Sequence, residues 1–149
     1  MTEWLDDAQQ QAWRKLIEVV ELLPGTLDSQ LRRDSDLSHF DYFTLAMLSE
    51  APQRTLRMTA LAELTNATLP RLSHVASRLE ERGYLERTPC PTDRRATNAT
   101  LTEAGWRKVV ETAPGHVAQV RDIVFTGLDS ADVADLDRIM GRILGRLAP

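Results

Sequence analysis

Residues 59–83 constrain the fold of this chain more than any other segment, because they predict two helices joined by a tight turn. Thr59 can cap a short helix that runs to Leu64, and Thr68 can cap a longer helix after a turn at residues 66–67. In the longer helix, apolar side chains recur at intervals of three and four residues, as one buried face requires. They are Leu72, Val75, Ala76 and Leu79.

The opposite face of the longer helix carries polar and charged side chains, which are Arg71, Ser73, His74, Ser77 and Arg78. Guanidinium, imidazole and hydroxyl groups on the exposed face of a helix that follows a short helix and a tight turn are typical of a recognition helix. The pattern therefore predicts a helix-turn-helix.

A β-hairpin is predicted directly after this helix. Gly83 ends the helix, and residues 84–88 have the composition of a short strand. Residues 89–94 read Pro-Cys-Pro-Thr-Asp-Arg, and we expect a loop there because proline cannot donate to a strand ladder. Residues 95–101 can return as the second strand, which leaves arginine side chains at the tip of the hairpin.

The N-terminal part of the chain predicts two helices. Apolar residues have helical spacing over residues 16–31, but Pro24 and Gly25 interrupt the pattern. Proline inside a helix costs ~3 kcal/mol, so we expect either a kink or a restart with Pro24 in a first turn. Ser38, with Asp41 three residues later, resembles a capping box and marks the start of the next helix.

Two further helices are predicted after the hairpin. Thr102 can cap a long helix, which Pro114 should bend. Asp129, with Asp132 three residues later, can start the last helix. The apolar stripe of this last helix consists of Val133, Leu136, Ile139, Met140, Ile143 and Leu147. We therefore predict a mainly α-helical fold with a small β-hairpin wing.

Charge is distributed unevenly along the chain, whose formal net charge is -4. From Arg54 to Arg95 there are eight arginines against five carboxylates, so the remaining residues are strongly acidic. Arginine has a planar donor fork that suits phosphates and guanine edges. A basic middle between acidic ends favours nucleic-acid binding, while a solvated face with scattered arginines is the alternative reading of the same count.

Other classes of protein lack their motifs in this sequence. There is no glycine-rich phosphate loop, no nucleophile elbow and no histidine–carboxylate pair at catalytic spacing, so we do not expect an enzyme. The first seven residues lack the cationic start of a secretory signal, and no apolar stretch is long enough to span a membrane. We expect a cytoplasmic protein with no membrane partner.

The histidines and the cysteine do not predict a metal or cofactor site. His39, His74 and His116 are not spaced as a metal motif. Cys90 is the only cysteine, which excludes an intramolecular disulfide and a multi-cysteine zinc site. Because Cys90 lies between two prolines of the hairpin, we expect it to be incidental rather than a redox sensor.

Three motifs occur in order in the second half of the chain. They are Arg78-Leu79-Glu80-Glu81-Arg82-Gly83-Tyr84-Leu85-Glu86-Arg87, then Asp93-Arg94-Arg95, then Leu101-Thr102-Glu103-Ala104-Gly105. With the helices around them, over roughly residues 16–147, they resemble the multiple-antibiotic-resistance regulator (MarR) family. The resemblance implies a winged helix-turn-helix and a homodimer that binds adjacent turns of a pseudo-palindromic DNA duplex.

The resemblance also assigns DNA contacts by position. The residues expected at the major groove are Thr68, Pro70, Arg71, Ser73, His74, Ser77 and Arg78. Asp93, Arg94 and Arg95 are expected to form the wing tip near the minor groove. A carboxylate facing phosphates is unfavourable unless it orients a guanidinium, so Asp93 is expected to brace Arg94 or Arg95.

A single domain over residues 1–149 is expected. Residues 1–37 and 102–149 would supply the dimerisation helices, and residues 38–101 the winged DNA-binding lobe. The implied function is transcriptional regulation by a repressor, released when a small-molecule ligand enters a cleft between the dimer base and the winged lobes. The alternative is a ligand-independent winged-helix architectural or protein-interaction module with no preferred operator.

Overall fold

The computed structural model describes residues 1–148, which form six α-helices and a small three-stranded sheet; Pro149, the end of the predicted dimerisation range, lies outside the described residues. The helices are α1 (Asp7–Ser35), α2 (His39–Glu50), α3 (Met58–Leu64), α4 (Leu69–Glu81), α5 (Glu103–Val120) and α6 (Ser130–Leu147). The strands are β1 (Thr55–Arg57), β2 (Leu85–Cys90) and β3 (Asp93–Leu101). A 3-10 turn at Pro52–Arg54 precedes β1, and a π-helical segment at Arg121–Phe125 follows α5. The predicted mainly α-helical fold with a wing is confirmed.

Side-chain caps begin most of the helices. The hydroxyl of Ser38 accepts from the backbone N–H of Asp41 at 2.9 Å, and the Asp41 carboxylate accepts from the N–H of Ser38 at 2.9 Å. Thr102 caps α5 by accepting from the N–H of Gly105 at 3.0 Å. Asp129 forms a capping box at the start of α6. These predicted caps are confirmed, because each depends on residues only three positions apart.

One predicted helix start is wrong, and one of the two alternatives expected at Pro24 is excluded. The first helix continues from Asp7 to Ser35 with Pro24 inside it, so it does not restart at Pro24. Pro24 removes only one backbone hydrogen-bond donor from the helix. The burial of Leu27 and Leu31 stabilises the turns that follow it. The short helix begins at Met58 without a side-chain cap, so Thr59 is not its N-cap.

The sheet contains a strand that the sequence pattern did not predict. β1 pairs antiparallel with β3, so the strand order is β1-β3-β2. With three residues, β1 is too short to show a periodic pattern. β2 and β3 also extend into the predicted loop, which is reduced to Pro91 and Thr92. Pro89 is tolerated because β2 is an edge strand, where a missing N–H donor need not break the sheet.

The core lies under α4, between α2, α3 and the sheet. The predicted stripe of α4 is buried as a whole, at Leu72, Val75, Ala76 and Leu79. It packs in one cluster with apolar side chains of the other elements, including Leu31, Leu45, Leu48, Leu61, Leu85 and Leu101. This packing fixes the rotation of α4 about its axis, and therefore decides which of its side chains face outward.

Gly105 lies where α5 leaves the sheet, and a side chain there has no room. An added Cβ would overlap the carbonyl oxygen of Tyr84 and lie 2.6 Å from Leu101 Cδ1. We expect Gly105→Ala to lower the free energy of unfolding by ~1–3 kcal/mol, as overpacking does elsewhere. The matched control is Gly25→Ala, where an added Cβ meets nothing within 4 Å. Urea denaturation of both variants checks this, and equal stabilities would contradict the close packing.

Candidate nucleic-acid interface

The outward face of α4 is the centre of the candidate interface. Thr68 caps the helix, since its hydroxyl accepts from the N–H of Arg71 at 3.3 Å. The side chains of five predicted contact residues are exposed, at Thr68, Pro70, Arg71, His74 and Arg78. Ser73 and Ser77 are half-buried. The seven predicted residues therefore do not form one uniform surface.

Arg87 of β2 explains why the two serines are less accessible. Its guanidinium donates to the Ser77 hydroxyl at 2.8 Å and to the Ser73 hydroxyl at 3.4 Å. The backbone N–H of Arg87 donates to the Glu80 carboxylate at 2.8 Å, and its guanidinium lies 3.2 Å from the same group. These contacts fasten the wing to α4. Sequence reasoning missed Arg87, because it lies in a strand seven to fourteen residues from its partners.

The charge of Glu80 supports this link at neutral pH. The backbone hydrogen bond from Arg87, together with its guanidinium, holds the pKa of Glu80 below its ordinary value despite partial burial. A carboxylate with a lowered pKa contributes stability above its unfolded pKa, and loses that contribution as the pH falls through the folded value. The link between Arg87 and Glu80 is therefore complete at pH 7.

Two residues in the first turn of α2 contact the exposed arginines of α4. The guanidinium carbon of Arg71 lies 4.1 Å from the centre of the Phe40 ring. Arg78 Nη2 lies 3.3 Å from Asp41 Oδ1, and only 8% of the Asp41 side chain is exposed. Neither contact could be found by spacing along the sequence, since the partners are more than thirty residues apart.

The wing places its charged residues on β3. Asp93 Oδ1 accepts from the backbone N–H of Arg95 at 3.0 Å, and Asp93 Oδ2 lies 3.9 Å from Arg57 Nη1. Arg94 and Arg95 are exposed. Asp93 therefore contacts the backbone of Arg95 and the guanidinium of Arg57, whereas the sequence predicted a guanidinium partner at Arg94 or Arg95. The difference arises from the unpredicted strand β1, which brings Arg57 beside β3.

A cavity of about 210 Å³ separates α4 from the wing. We name it the basic notch, because its lining includes Arg57, Arg87 and Arg95. Ser73 and Thr97 add hydroxyl groups to the lining. Three arginine residues around one open space suit an anionic group of phosphate chemistry.

Cys90 lies near the tip of the wing, with 6% of its surface exposed. A hydrogen bond with the Thr92 side chain, and a weaker contribution from the Thr92 backbone, lower the pKa of the Cys90 thiol to about 7. Arg57 Nη2 lies 3.8 Å from the sulfur and acts in the same direction. The thiol is therefore one of the wing groups that contact Arg57 of β1.

The three histidines are divided between two regions. His74 lies on the exposed face of α4. His39 of α2 and His116 of α5 approach each other, with ring centres 6.2 Å apart, and burial lowers the pKa of both. Within residues 1–148, no three histidine, cysteine or carboxylate side chains are grouped as a metal site.

The junction of α1, α2 and α5 contains buried polar atoms with unmet hydrogen bonds. Among the described residues, these are Gln30 Oε1, Thr112 Oγ1 and His116 Nδ1. The His116 ring also contacts Tyr42, with ring centres 4.7 Å apart. His116 lines a cavity of about 280 Å³ as well, whose other lining residues belong to α5 and the π-helical segment. Buried polar atoms are normally satisfied by protein, water or ligand, so this junction is a second candidate site.

None of the helices in the described part of the chain combines the length and the apolar character needed to cross a bilayer.

Comparison with known proteins identifies similar sequences and structures. A sequence model of the MarR family matches residues 35–96. The crystal structure of Sco3205, a MarR family transcriptional regulator from Streptomyces coelicolor in complex with DNA, has 42% identity and a TM-score of 0.96, and the match covers 99% of this chain and 93% of that one. AbsC, a MarR family transcriptional regulator from the same organism, has 38% identity and a TM-score of 0.93, with 98% of each chain covered.

A curated bacterial protein matches over a shorter range. It is YdcH of Bacillus subtilis (strain 168), an uncharacterised HTH-type transcriptional regulator that is 31% identical over 81 residues. The match covers 53% of this chain and 55% of YdcH, so it spans about half the length of that relative.

Proposed function

This chain belongs to the MarR family of transcriptional regulators, and on that basis we propose that it is a dimeric, sequence-specific DNA-binding regulator. The observation that carries the proposal is the outward face of α4, with the wing fastened beside it by Arg87. Sco3205, at 42% identity, was crystallised with DNA, which supports the same partner for this chain. Sco3205, AbsC and YdcH all carry the name of transcriptional regulators, which supports the same role for this chain.

In the proposed complex, α4 enters the major groove. Arg71, His74 and Arg78 supply donors on its exposed face, and an arginine fork can bind the O6 and N7 atoms of guanine. Thr68 and Pro70 lie at the start of the helix, where it approaches the duplex. The remaining predicted contact residues, Ser73 and Ser77, are held by Arg87, and their role is to support the helix against the wing.

The wing supplies contacts that carry less sequence information. Arg94 and Arg95 are exposed at its tip, within reach of the backbone and the minor groove. The basic notch between α4 and the wing accepts a backbone phosphate. Arg57, which Asp93 contacts, belongs to this phosphate-binding set.

Apolar surface on α1 and α6 supports a homodimer. None of the residues of α6 is buried, although the helix has 18 residues and a clear apolar stripe. Leu144 and Leu147 are 59% and 74% exposed, and Trp4 and Trp13 near the start of α1 are exposed as well. An apolar stripe on a helix is normally buried against another surface. In a symmetric dimer, the same stripe of a second copy can cover it. Two winged lobes would then read a pseudo-palindromic operator.

We further propose that this regulator is a repressor that a small-molecule effector releases from DNA. The effector would bind between the dimer base and the winged lobe, where Gln30, Thr112 and His116 have buried polar atoms without partners. Helices α1, α2 and α5 meet at this junction, so an occupant there touches both parts of the protein. A ligand that fits one arrangement of these helices better than another shifts the population towards it.

The proposed specificity can be tested by competition at fixed salt. The labelled probe is a duplex selected by the full-length protein from a random-sequence library. We expect this duplex to bind at least ~10³-fold more tightly than random DNA, as specific sites do. Equal affinities would contradict sequence-specific regulation, and would favour the alternative of a general winged-helix architectural protein.

The dimer is tested by light scattering at micromolar concentration. The monomer mass is 16.8 kDa, and we expect a measured mass of twice this value. Obligate interfaces commonly bury more than ~2,000 Å² in total, and a dimer of that kind stays associated at micromolar concentration. A double substitution, Leu144→Glu with Leu147→Glu, should shift the mass towards the monomer. Charge reversal at the exposed Arg138→Glu is the control for added negative charge on α6. A monomeric wild-type protein would remove the two-half-site model.

Asp93→Ala distinguishes a braced wing from simple electrostatics. Deleting a carboxylate near DNA should tighten binding, but loss of the contacts to Arg95 N–H and Arg57 should weaken it. We expect about fivefold weaker binding to the selected duplex, the equivalent of one hydrogen bond of ~1 kcal/mol. Glu86→Ala, at an exposed carboxylate on β2, is the matched control and should not weaken binding. Tighter binding by Asp93→Ala would show that Asp93 is not a brace.

A further inference from the structure

We propose that Phe40 and Asp41, in the first turn of α2, are positioning residues that hold Arg71 and Arg78 of α4 in the conformations that read DNA. This inference rests on the proposed function, since it requires α4 to enter the major groove. It assigns a role in base selection to two residues that themselves lie outside the DNA-facing surface of α4.

The two arginines form a pair that α2 can brace together. They are seven residues apart, so they lie two turns apart on the same side of α4. Their partners, Phe40 and Asp41, are consecutive in α2. One turn of α2 therefore contacts both outward-facing guanidinium groups.

Phe40 restricts Arg71 by stacking. The guanidinium carbon of Arg71 lies 4.1 Å from the ring centre, which is within the range of a cation–π contact. An exposed arginine otherwise samples many rotamers, and that freedom must be lost when it binds a base. Phe40 is itself packed against the core, so its ring is a fixed platform. Arg71 is thus partly ordered before DNA arrives.

Asp41 restricts Arg78 because the Asp41 carboxylate is itself held in place by a second hydrogen bond. One oxygen of Asp41 accepts from the N–H of Ser38 at 2.9 Å in the α2 capping box, and the other accepts from Arg78 Nη2 at 3.3 Å. The Asp41 side chain is buried, whereas that of Arg78 is about half exposed. Since arginine has five N–H donors, Arg78 keeps donors for a base or a phosphate after this bond is made.

Phe40→Leu is the variant that separates positioning from packing. Leucine keeps an apolar side chain against the core but removes the aromatic face, and Phe40→Tyr restores that face. Affinities for the selected duplex and for each of its single-base-pair variants are measured for wild type, both Phe40 variants, Arg71→Ala and the double variant Phe40→Leu with Arg71→Ala. The fraction folded is checked by urea denaturation in every case.

We expect Arg71→Ala and Phe40→Leu to relax discrimination at the same base pair, with about a threefold to tenfold loss for Phe40→Leu. Phe40→Tyr should discriminate like wild type. The double variant should be no worse than Arg71→Ala alone, because the two side chains act as one unit. Additive losses, or a Phe40→Leu protein that discriminates like wild type while Arg71→Ala does not, would overturn the positioning role and leave the proposed function intact.

Asp41→Asn with Arg78→Ala gives an independent cycle if Phe40→Leu fails to fold. Asparagine keeps one oxygen for the cap but removes the charge that holds Arg78, so we expect both single variants to relax discrimination at one shared base pair. If Asp41→Asn and Arg78→Ala relax discrimination at different base pairs, the positioning role of Asp41 is wrong. A wild-type protein that selects no sequence, or an Arg71→Ala protein with unchanged preferences, would overturn the assigned DNA-reading face and the inference together.

Discussion

Burial of the apolar stripe on α4 is the interaction on which the rest of the structure depends. Leu72, Ala76 and Leu79 have at most 1% of their surface exposed. Burying one such leucine contributes ~1.5–3 kcal/mol, whereas a hydrogen bond contributes ~0.5–1.5 kcal/mol net. No polar contact on the outer face can therefore rotate the helix away from the core. Arg71 and His74 face outward because the other side of α4 is already occupied.

The sequence predicted those features that depend on a few neighbouring residues. The stripe of α4, the capping box of Ser38 and Asp41, and the caps at Thr68 and Thr102 are all present. Contacts between elements could not be predicted, since they depend on how the elements pack. The sequence left a kink or a restart open at Pro24, and α1 continues through this position because burial further along the helix outweighs a local propensity. The exposed positions on α4 and at the wing tip were predicted, but not the side chains of Arg87, Phe40 and Asp41 that contact α4.

The first turn of α2 has neighbours on both sides. On one side it contacts the two arginines of α4, and on the other it contacts α1 and α5. The N–H of His39 donates to Asp28 Oδ1 of α1 at 2.8 Å, and the Tyr42 ring lies 4.7 Å from that of His116 on α5. One turn of α2 therefore lies between α5 and the two arginines of α4, in direct contact with both.

The contacts of Arg87 have a consequence for the spacing of a bound DNA site. Arg87 fastens β2 to Ser77 and Glu80 of α4, so these hydrogen bonds oppose any movement of the wing relative to the helix. In the proposed dimer, the offset between the bases contacted by α4 and those beside the wing is then constant within each half-site. In that dimer, a change in the distance between the two half-sites would then fall to the helices that join the two copies. Differences among natural operators should therefore concentrate in the length and bending of the spacer between the half-sites.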